Sequence, residues 1–238
     1  MRDSSADAEA LHLLEHGRLD VEGRMPWSSN ATFLVNVLDG DQTCAQGIYK
    51  PIRGERPLWD FPSGLHRREV AAYRLSVALG WDIVPPTILR EGPFGDGSLQ
   101  LFVPSDFEQH YFTLHENRPD LHQQLKAICA FDILANNADR KGGHCLLGLD
   151  GRVHAIDNGL CFAADFKLRT VIWEFSGQRV PKELLDAIAR VARAVPLDVA
   201  ALLDDEENEA IRARASALLA RGVFPKDASG HRYPWPMV

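Results

Sequence analysis

The sequence has no basic tract, no long apolar run and no cysteine pair at metal-ligand spacing. Its formal net charge is −7. This charge argues against a nucleic-acid partner and against docking on anionic lipid, because proteins bind both of these through a surface rich in Lys and Arg. No apolar segment approaches the roughly 20 residues that span a bilayer. The first residues, MRDSSADAEALHLLEHG, lack the basic segment and apolar core of a signal peptide. We therefore expect a cytoplasmic protein without integral membrane association.

Cysteine is also scarce. Cys44, Cys129, Cys145 and Cys161 lie far apart and include no CxxC pair, which predicts four buried thiols in a reducing compartment. Hydrophobic residues make up 45% and charged residues 25% of the chain, close to the average of soluble globular proteins. With 238 residues the chain is long enough for one large domain or for two lobes that share an interface.

The first part of the chain has the pattern of a β-rich region with one helix before the strands and one helix between them. Phe33, Val35 and Val37 alternate before the turn Asp39-Gly40, which is the pattern of a β-hairpin. Prolines and glycines between residues 52 and 64 predict a loop. The elements expected here are a helix over 5–16, two or three strands over 19–51, a helix over 65–79 that ends at Gly80, and a hairpin whose second strand covers 99–103.

After Pro104 the pattern becomes mainly helical. Apolar residues recur at helical spacing from Leu121 to Leu134. Two short strands are expected at 145–149 and 153–156, and two helices at 180–195 and 196–220. The predicted fold class is therefore α+β, with a β-rich N-terminal lobe over residues 1–104 and a mainly helical C-terminal lobe over residues 105–238.

Two acidic residues stand out in the second lobe. Asp139 follows the apolar helix and opens a loop, and Asp157 ends the strand-like run VHAID. The hairpin between them fixes their separation. Phosphoryl transfer needs one carboxylate to orient the attacking hydroxyl and take its proton, and another to hold a metal on the phosphates. Either acid alone is typical of a turn, but the pair at this spacing favours a functional role.

A lysine and a glutamate form a second candidate pair in the first lobe. Lys50 ends the strand GIYKP, and Glu69 lies on the helix that follows. Kinase-like enzymes use such a pair to hold the lysine against the α- and β-phosphates. Taken separately, each residue is more typical of a solvated charge, but their order relative to the two acids favours a joint role. The small polar residues of WSSNATFLV could bring backbone N–H groups to phosphate, with an ordinary turn as the equal alternative.

Seven short motifs resemble the phosphatidylinositol 3/4-kinase-related superfamily, and most of all the type II phosphatidylinositol 4-kinase-like proteins. They are WSSNATFLV, GIYKP, RREVAAYRLS, WDIVPPT, LQLFV, NNADRKGGHCLL and AIDNGLCF, in that family's order between residues 23 and 162. HipA-like kinases are a more distant likeness. The resemblance implies a bilobal protein-kinase-like fold and an ATP-dependent phosphotransferase that uses Mg²⁺ or Mn²⁺.

The resemblance also implies a role for each matching residue. Asp139 would be the catalytic acid or base, with Arg140 beside it, and Asp157 would bind the metal. Lys50 would contact the phosphates of ATP, with Glu69 to orient it. The remaining nucleotide contacts would come from the phosphate loop, Ser28, Ser29 and Asn30, and from the backbone of the adenine hinge, Leu101, Phe102 and Val103.

One residue departs from the family's pattern. His144 occupies the position, five after the catalytic aspartate, where the family has a metal-binding asparagine. Mg²⁺ prefers hard oxygen ligands, whereas imidazole suits other divalent ions. His144 is therefore a candidate ligand for a metal such as Mn²⁺. Hydrogen bonding to Asp157 or to a phosphate, and weakened catalysis, are the alternatives.

The acceptor is not identified by these motifs. A protein Ser/Thr or a small polyol such as an inositol derivative is expected ahead of a phosphoinositide, because the lipidation cysteines and apolar loops of eukaryotic lipid kinases are not visible. Phe166, Trp173 and Phe175 either line a substrate cleft or, as favoured, pack the helical lobe. The alternative function is a nucleotide-binding pseudokinase that acts as a scaffold or regulator, which the histidine at position 144 supports. A phosphatase or nuclease would leave Lys50 and Glu69 unexplained.

Overall fold

The computed structural model describes residues 4–26 and 30–238. The first lobe contains α1 (Ser4–His16), β1 (Arg18–Arg24), β2 (Phe33–Asp39), β3 (Gln42–Pro51), α2 (Leu65–Leu79), β4 (Thr87–Gly92) and β5 (Gly95–Leu101). The second lobe contains α3 (Tyr111–Asn117), α4 (His122–Ala135), β6 (Cys145–Leu147), β7 (Val153–Ala155), α5 (Lys182–Arg193), α6 (Leu197–Ala200) and α7 (Asp205–Arg221). The predicted boundary at residue 104 lies between β5 and α3.

The five strands of the first lobe form one antiparallel sheet in the order β1-β2-β3-β5-β4. Val35 and Val37 of β2 are fully buried, so the alternation seen in the sequence does mark one face of the sheet. The hairpin from β2 to β3 turns through Gly40, whose φ of 58° favours glycine. Because β3 pairs with β5 in the middle of the sheet, Lys50 at the end of β3 is held firmly.

Helix α2 has the predicted bounds. Gly80 ends it with φ 72°, and the Gly80 N–H donates to the carbonyl of Val77 at 2.9 Å. At the other end the Glu55 carboxylate accepts the N–H groups of Gly64 at 3.0 Å and His66 at 2.9 Å. The loop over 52–64 therefore caps α2 from outside, and the helix buries Glu69 on its inner face.

The second lobe is built around α4. Its predicted apolar stripe is buried at Leu125, Ile128, Phe131 and Leu134, and these residues belong to one large cluster with α5 and α7. The helix ends at Asn136, which adopts a left-handed conformation with φ 53°. The chain therefore changes direction at Asn136, immediately before the loop that carries Asp139.

The predicted α+β fold with a β-rich first lobe and a helical second lobe is confirmed. Phe175 packs in the core of the second lobe, as favoured, whereas Phe166 is exposed. Within the described residues, no helix combines the length and the apolar character needed to cross a membrane.

Two predictions from the sequence are wrong. The helix expected over 196–220 is two helices, because Asp204 accepts the N–H of Glu207 at 2.8 Å and starts α7 afresh. The prediction of four buried thiols fails at Cys44, which is exposed near the start of β3, while the other three cysteines are buried.

Candidate active site

Lys50 joins the two lobes. Its ammonium group contacts the Glu69 carboxylate of α2 and lies 2.7 Å from Oδ1 of Asp157, which follows β7 in the second lobe. The second oxygen of Glu69 accepts the backbone N–H of Asn158 at 2.9 Å. Glu69 is only 3% exposed, so its charge is satisfied by one group from each lobe. The structure thus brings Lys50, Glu69 and Asp157 together.

The charges of this group stabilise one another. Burial disfavours the charged form of Lys50, but the carboxylates of Asp157 and Glu69 outweigh it and raise the pKa of the ammonium group. The Lys50 ammonium in turn holds the pKa of Asp157 well below its usual range, against the opposing effect of burial. At neutral pH the site therefore holds a protonated Lys50 and an ionised Asp157.

Arg140 fixes the backbone around Asp157. Its guanidinium donates to the carbonyl of Ile156 at 2.6 Å and to Oδ1 of Asn158 at 2.6 Å, so it grips the chain on both sides of Asp157. Asp157 itself has φ 55°, a conformation that is uncommon outside glycine and needs such support.

Arg140 is completely buried, and its Nε donates to the buried carboxylate of Asp132 at 3.1 Å. The resemblance suggested a catalytic role beside Asp139. The guanidinium is fully buried, and its contacts are those of a group that supports the backbone on both sides of Asp157. The catalytic role implied by the resemblance stays a prediction.

Asp139 lies on the loop after α4. Its N–H donates to the side chain of Asn137 at 2.9 Å, and Lys141 Nζ lies 3.1 Å from its carboxylate, which is 27% exposed. Burial raises the pKa of Asp139, Lys141 opposes the rise, and the charge of Asp157 adds to it. A raised pKa makes the carboxylate a better proton acceptor, which suits the predicted role.

His144 lies between the two acids. Its Nδ1 is 3.0 Å from the backbone carbonyl of Asp139, and its Nε2 is 3.5 Å from Oδ2 of Asp157. Burial lowers the pKa of His144 to about 4, although the charge of Asp157 opposes this. The ring is therefore neutral at neutral pH. A proton on Nδ1 would be donated to that carbonyl and would leave the Nε2 lone pair for a metal ion, whereas a proton on Nε2 would point toward Asp157.

A metal ion would need ligands beyond the protein here. Among residues 4–26 and 30–238, no three or more His, Cys, Asp or Glu side chains cluster so as to hold one. Asp157 nevertheless fits a metal shared with nucleotide phosphates, because Mg²⁺ is commonly bound by one or two carboxylates together with phosphate oxygens. The imidazole of His144 beside it suits a softer divalent ion.

The other predicted nucleotide contacts are the phosphate loop at residues 28–30 and the hinge at residues 101–103. Ser28 and Ser29 lie outside the described residues, and the Asn30 side chain accepts the N–H of Arg56 at 3.0 Å. At the predicted hinge, the N–H groups of Leu101 and Phe102 donate to the carbonyls of Pro86 and Gln46, at 2.8 and 2.9 Å. Among the backbone hydrogen bonds of the described chain, none uses the Val103 N–H. The Val103 N–H is therefore available for the predicted contact with adenine, which stays a prediction.

Sequence reasoning missed the residues that support the acids. Asp132 and Asn158 are fully buried and hold Arg140 between them. Thr170 donates its hydroxyl to Asp132 at 3.2 Å. Asp132 carries the one available signal, since an acid within the apolar run CAFDILA is expected to be paired inside the core.

Comparisons with known proteins agree with this geometry. The family model "Phosphatidylinositol 3- and 4-kinase" matches residues 86–213. Protein Rv2133c of Mycobacterium tuberculosis is 41% identical, with 94% of each chain covered.

Solved kinase structures share the fold at low identity. The Golgi casein kinase with Mn/ADP bound has a TM-score of 0.61 at 14% identity, covering 99% of this chain and 81% of that one. The Helicobacter pylori proinflammatory kinase CtkA has a TM-score of 0.54 at 12% identity, covering 89% and 94%. The predicted kinase-like fold is confirmed, and the family match over more than half of the sequence shows that this chain belongs to the phosphatidylinositol 3- and 4-kinase family.

Proposed function

We propose that this protein is a kinase that transfers the γ-phosphate of ATP to a hydroxyl group. One observation carries the proposal: Lys50 pairs with both Glu69 and Asp157 across the two lobes, with Asp139 on the neighbouring loop. Isolated surface charges do not need partners from both lobes around a buried glutamate, whereas phosphoryl transfer depends on positioning and charge stabilisation of this kind. The fold shared with a Golgi casein kinase solved with Mn/ADP bound supports nucleotide and divalent metal as cofactors.

Each residue then has a defined task. Lys50, oriented by Glu69, contacts the phosphates of ATP, while the Val103 N–H binds adenine and residues 28–30 cover the phosphates. Asp157, with His144, would hold a divalent cation, which would neutralise charge on the phosphates. Asp139 orients the acceptor hydroxyl and takes its proton as the oxygen bonds to the γ-phosphorus. The bond from the γ-phosphorus to the bridging oxygen breaks, and ADP leaves.

The acceptor is proposed as a protein Ser/Thr or a small polyol such as an inositol derivative, ahead of a phosphoinositide. Asp139 and Lys141 present a carboxylate and an ammonium group 3.1 Å apart. This pair can bind a hydroxyl group of either acceptor class. Parallel incubation with a protein mixture, free inositol derivatives and phosphoinositide vesicles would rank the three classes by label transferred.

Labelled ATP tests the reaction itself. Pure protein is incubated with γ-labelled ATP and Mg²⁺ or Mn²⁺, and both hydrolysis and transfer are measured. Asp139→Asn should lower kcat by about 10² to 10⁴, the usual contribution of a general base. Asp41→Asn is the matched control, since Asp41 is fully exposed in the turn before β3. Equal rates in the wild type and Asp139→Asn would overturn the assignment.

A pseudokinase that acts as a scaffold or regulator is the second candidate. It is favoured by the contact of His144 with Asp157, since an imidazole stands where the family has its asparagine. This candidate predicts that ATP binds but is not turned over with any divalent metal. Asp157→Ala should remove metal-dependent ATP binding under both proposals, so turnover by the wild type is the measurement that separates them.

A further inference from the structure

Residues 227–238, here called the strap, fold back over the second lobe after α7. The strap begins with a turn closed by Asp227. Its carboxylate accepts the N–H of Ser229 at 2.9 Å and the N–H of Arg232 at 3.0 Å. The turn directs the chain back toward the loops that carry the catalytic groups.

The strap touches the loop of Asp139. The Gly142 N–H donates to the carbonyl of Met237 at 2.6 Å, and Lys141, the neighbour of Gly142, is the residue that pairs with Asp139. There is little room at this contact, because a Cβ on Gly142 would lie 3.3 Å from the Met237 carbonyl and 3.3 Å from the Phe112 ring. The strap therefore sets the position of the chain three residues beyond Asp139.

The strap also touches the segment that follows Asp157. The carbonyl of Arg232 accepts the N–H of Thr170 at 3.1 Å and the indole N–H of Trp173 at 3.2 Å. The guanidinium of Arg232 lies 4.6 Å above the Phe166 ring. Thr170 in turn donates to Asp132, which holds Arg140. One strap residue is thus linked by consecutive hydrogen bonds to the buried arginine that grips Asp157.

We propose that the strap is a positioning element of the reaction: the carbonyls of Arg232 and Met237 hold the two loops of the second lobe in the arrangement that phosphoryl transfer requires. This inference rests on the proposed kinase function. Carbonyl groups supply neither a proton nor a formal charge, so they act on geometry, and small displacements of catalytic groups can cost about 10²-fold in rate. Because Lys50, Glu69 and the hinge lie in the first lobe, the ATP contacts of that lobe are expected to depend little on the strap, whereas the contribution of Asp157 to metal-dependent binding follows the position of its loop.

Two neighbouring glycines provide the first test. Gly142→Ala places a methyl group against the Met237 carbonyl, whereas a Cβ on Gly143 meets no atom within 4 Å. We expect Gly142→Ala to lower kcat by about tenfold or more, with KM for ATP within about twofold of the wild type. Gly143→Ala should lower kcat by less. Equal kcat values for the two variants would count against the strap.

Asp227→Ala tests the same idea from a residue remote from the chemistry. It removes the acceptor that closes the turn, and Asp41→Ala serves as the exposed control. Lower kcat, with a smaller effect on KM for ATP, is expected only in Asp227→Ala. A higher kcat in Asp227→Ala and Gly142→Ala would show that the strap obstructs the site, and would overturn a positioning role.

Hydrogen exchange in the full chain separates this inference from the proposed function. In Asp227→Ala the amides of 139–144 and 168–173 should exchange faster, while those of β3 and α2 are unchanged. Unchanged exchange in both loops would refute the strap whether or not the protein is active. If Asp227→Ala exchanges faster but the wild type transfers no phosphate, the strap contact is supported and the proposed kinase function is refuted.

Discussion

Removing Arg140 is the sharpest test of how the site is supported. Arg140→Met deletes a fully buried guanidinium but leaves the equally buried carboxylate of Asp132 in place. Removing one partner of a buried ion pair costs about 3–5 kcal/mol, because an uncompensated charge remains in the core. Total unfolding free energies are only about 5–15 kcal/mol, so the variant should lose a large share of its stability.

The remaining contacts of Asp132 place the loss near the lower end of that range. Its carboxylate still accepts from Asn137 at 3.1 Å and from Thr170 at 3.2 Å. Burial already raises the pKa of Asp132 even though Arg140 opposes it. Without Arg140 the pKa rises further, so the carboxyl group can take up a proton and reduce the penalty. We therefore expect about 3 kcal/mol near pH 5.5.

The same reasoning fixes the sign of the pH dependence. An aspartate with a raised folded pKa binds a proton more tightly in the folded state than in the unfolded state. The variant therefore loses stability as pH rises above about 4, the unfolded pKa, by up to about 1.4 kcal/mol per pH unit until the folded pKa is reached. Arg140→Met should be less stable at pH 8 than at pH 5.5 relative to the wild type.

Urea unfolding at both pH values measures this directly. The double variant Asp132→Asn/Arg140→Met is the control, because it has no buried carboxyl group to ionise. It should recover part of the stability and lose the added pH dependence. A difference between Arg140→Met and the wild type that stays the same at the two pH values would refute the argument that Asp132 takes up a proton.

Arg140→Lys separates support for Asp157 from stability. A lysine keeps a positive charge beside Asp132, but its single ammonium group cannot reproduce the fork that reaches Ile156 and Asn158. We expect kcat to fall by about tenfold or more, while the loss of unfolding free energy is smaller than in Arg140→Met. Full activity in Arg140→Lys would show that the grip on the backbone around Asp157 is not needed.

Three further outcomes are expected from other parts of the site. Lys50→Met should abolish turnover and raise the pKa of Asp157, whose main cause of depression is the Lys50 ammonium; an NMR titration that finds Asp157 unchanged would contradict this. Glu55→Gln should lower the free energy of unfolding by about 1–2 kcal/mol, the range of a lost helix cap. Burial opposes ionisation of Glu55, but hydrogen bonds from the His66 ring and from the backbone N–H groups at the start of α2 lower its pKa to about 2. The stabilisation by ionised Glu55 is therefore present above the unfolded pKa. It should be lost as pH falls from about 5 toward about 2, which denaturation curves can follow. His144→Asn should shift the ratio of kcat/KM from Mn²⁺ toward Mg²⁺, and an unchanged ratio would exclude direct metal ligation.

The parts of the fold that follow local rules could be predicted from the sequence. Helix α2 was predicted to the residue because its apolar pattern runs up to Gly80, and a glycine with positive φ is a common helix end. The hairpin through Gly40 and the buried stripe of α4 follow from similar local signals. The break between α6 and α7 also has a local cause, because Asp204 caps the first turn of α7. An aspartate within an acidic run is equally typical of a solvated helix face, so the sequence alone does not mark this break.

The support beneath the site could not be predicted in the same way. Arg140 looks like an active-site cation when read beside Asp139, because the chain neighbours of a residue do not show which way its side chain points. Its partners lie 8 residues before it, in α4, and 16 and 18 residues after it, around Asp157. These contacts form only once α4, the loop and β7 have packed, and no periodic pattern records them.

Glu69 couples the residues that the first lobe contributes to the site with those that the second lobe contributes. Its carboxylate is almost completely buried, and a buried carboxylate is tolerated only when its oxygens are paired. One pairing reaches 19 residues back to Lys50, and the other reaches 89 residues ahead to the N–H of Asn158. Closing the lobes is therefore a condition for burying Glu69, and burying Glu69 is a condition for holding Lys50. It follows that a change at Asn158 that displaces its N–H should disturb Lys50 in the other lobe, because both groups bind the carboxylate of Glu69.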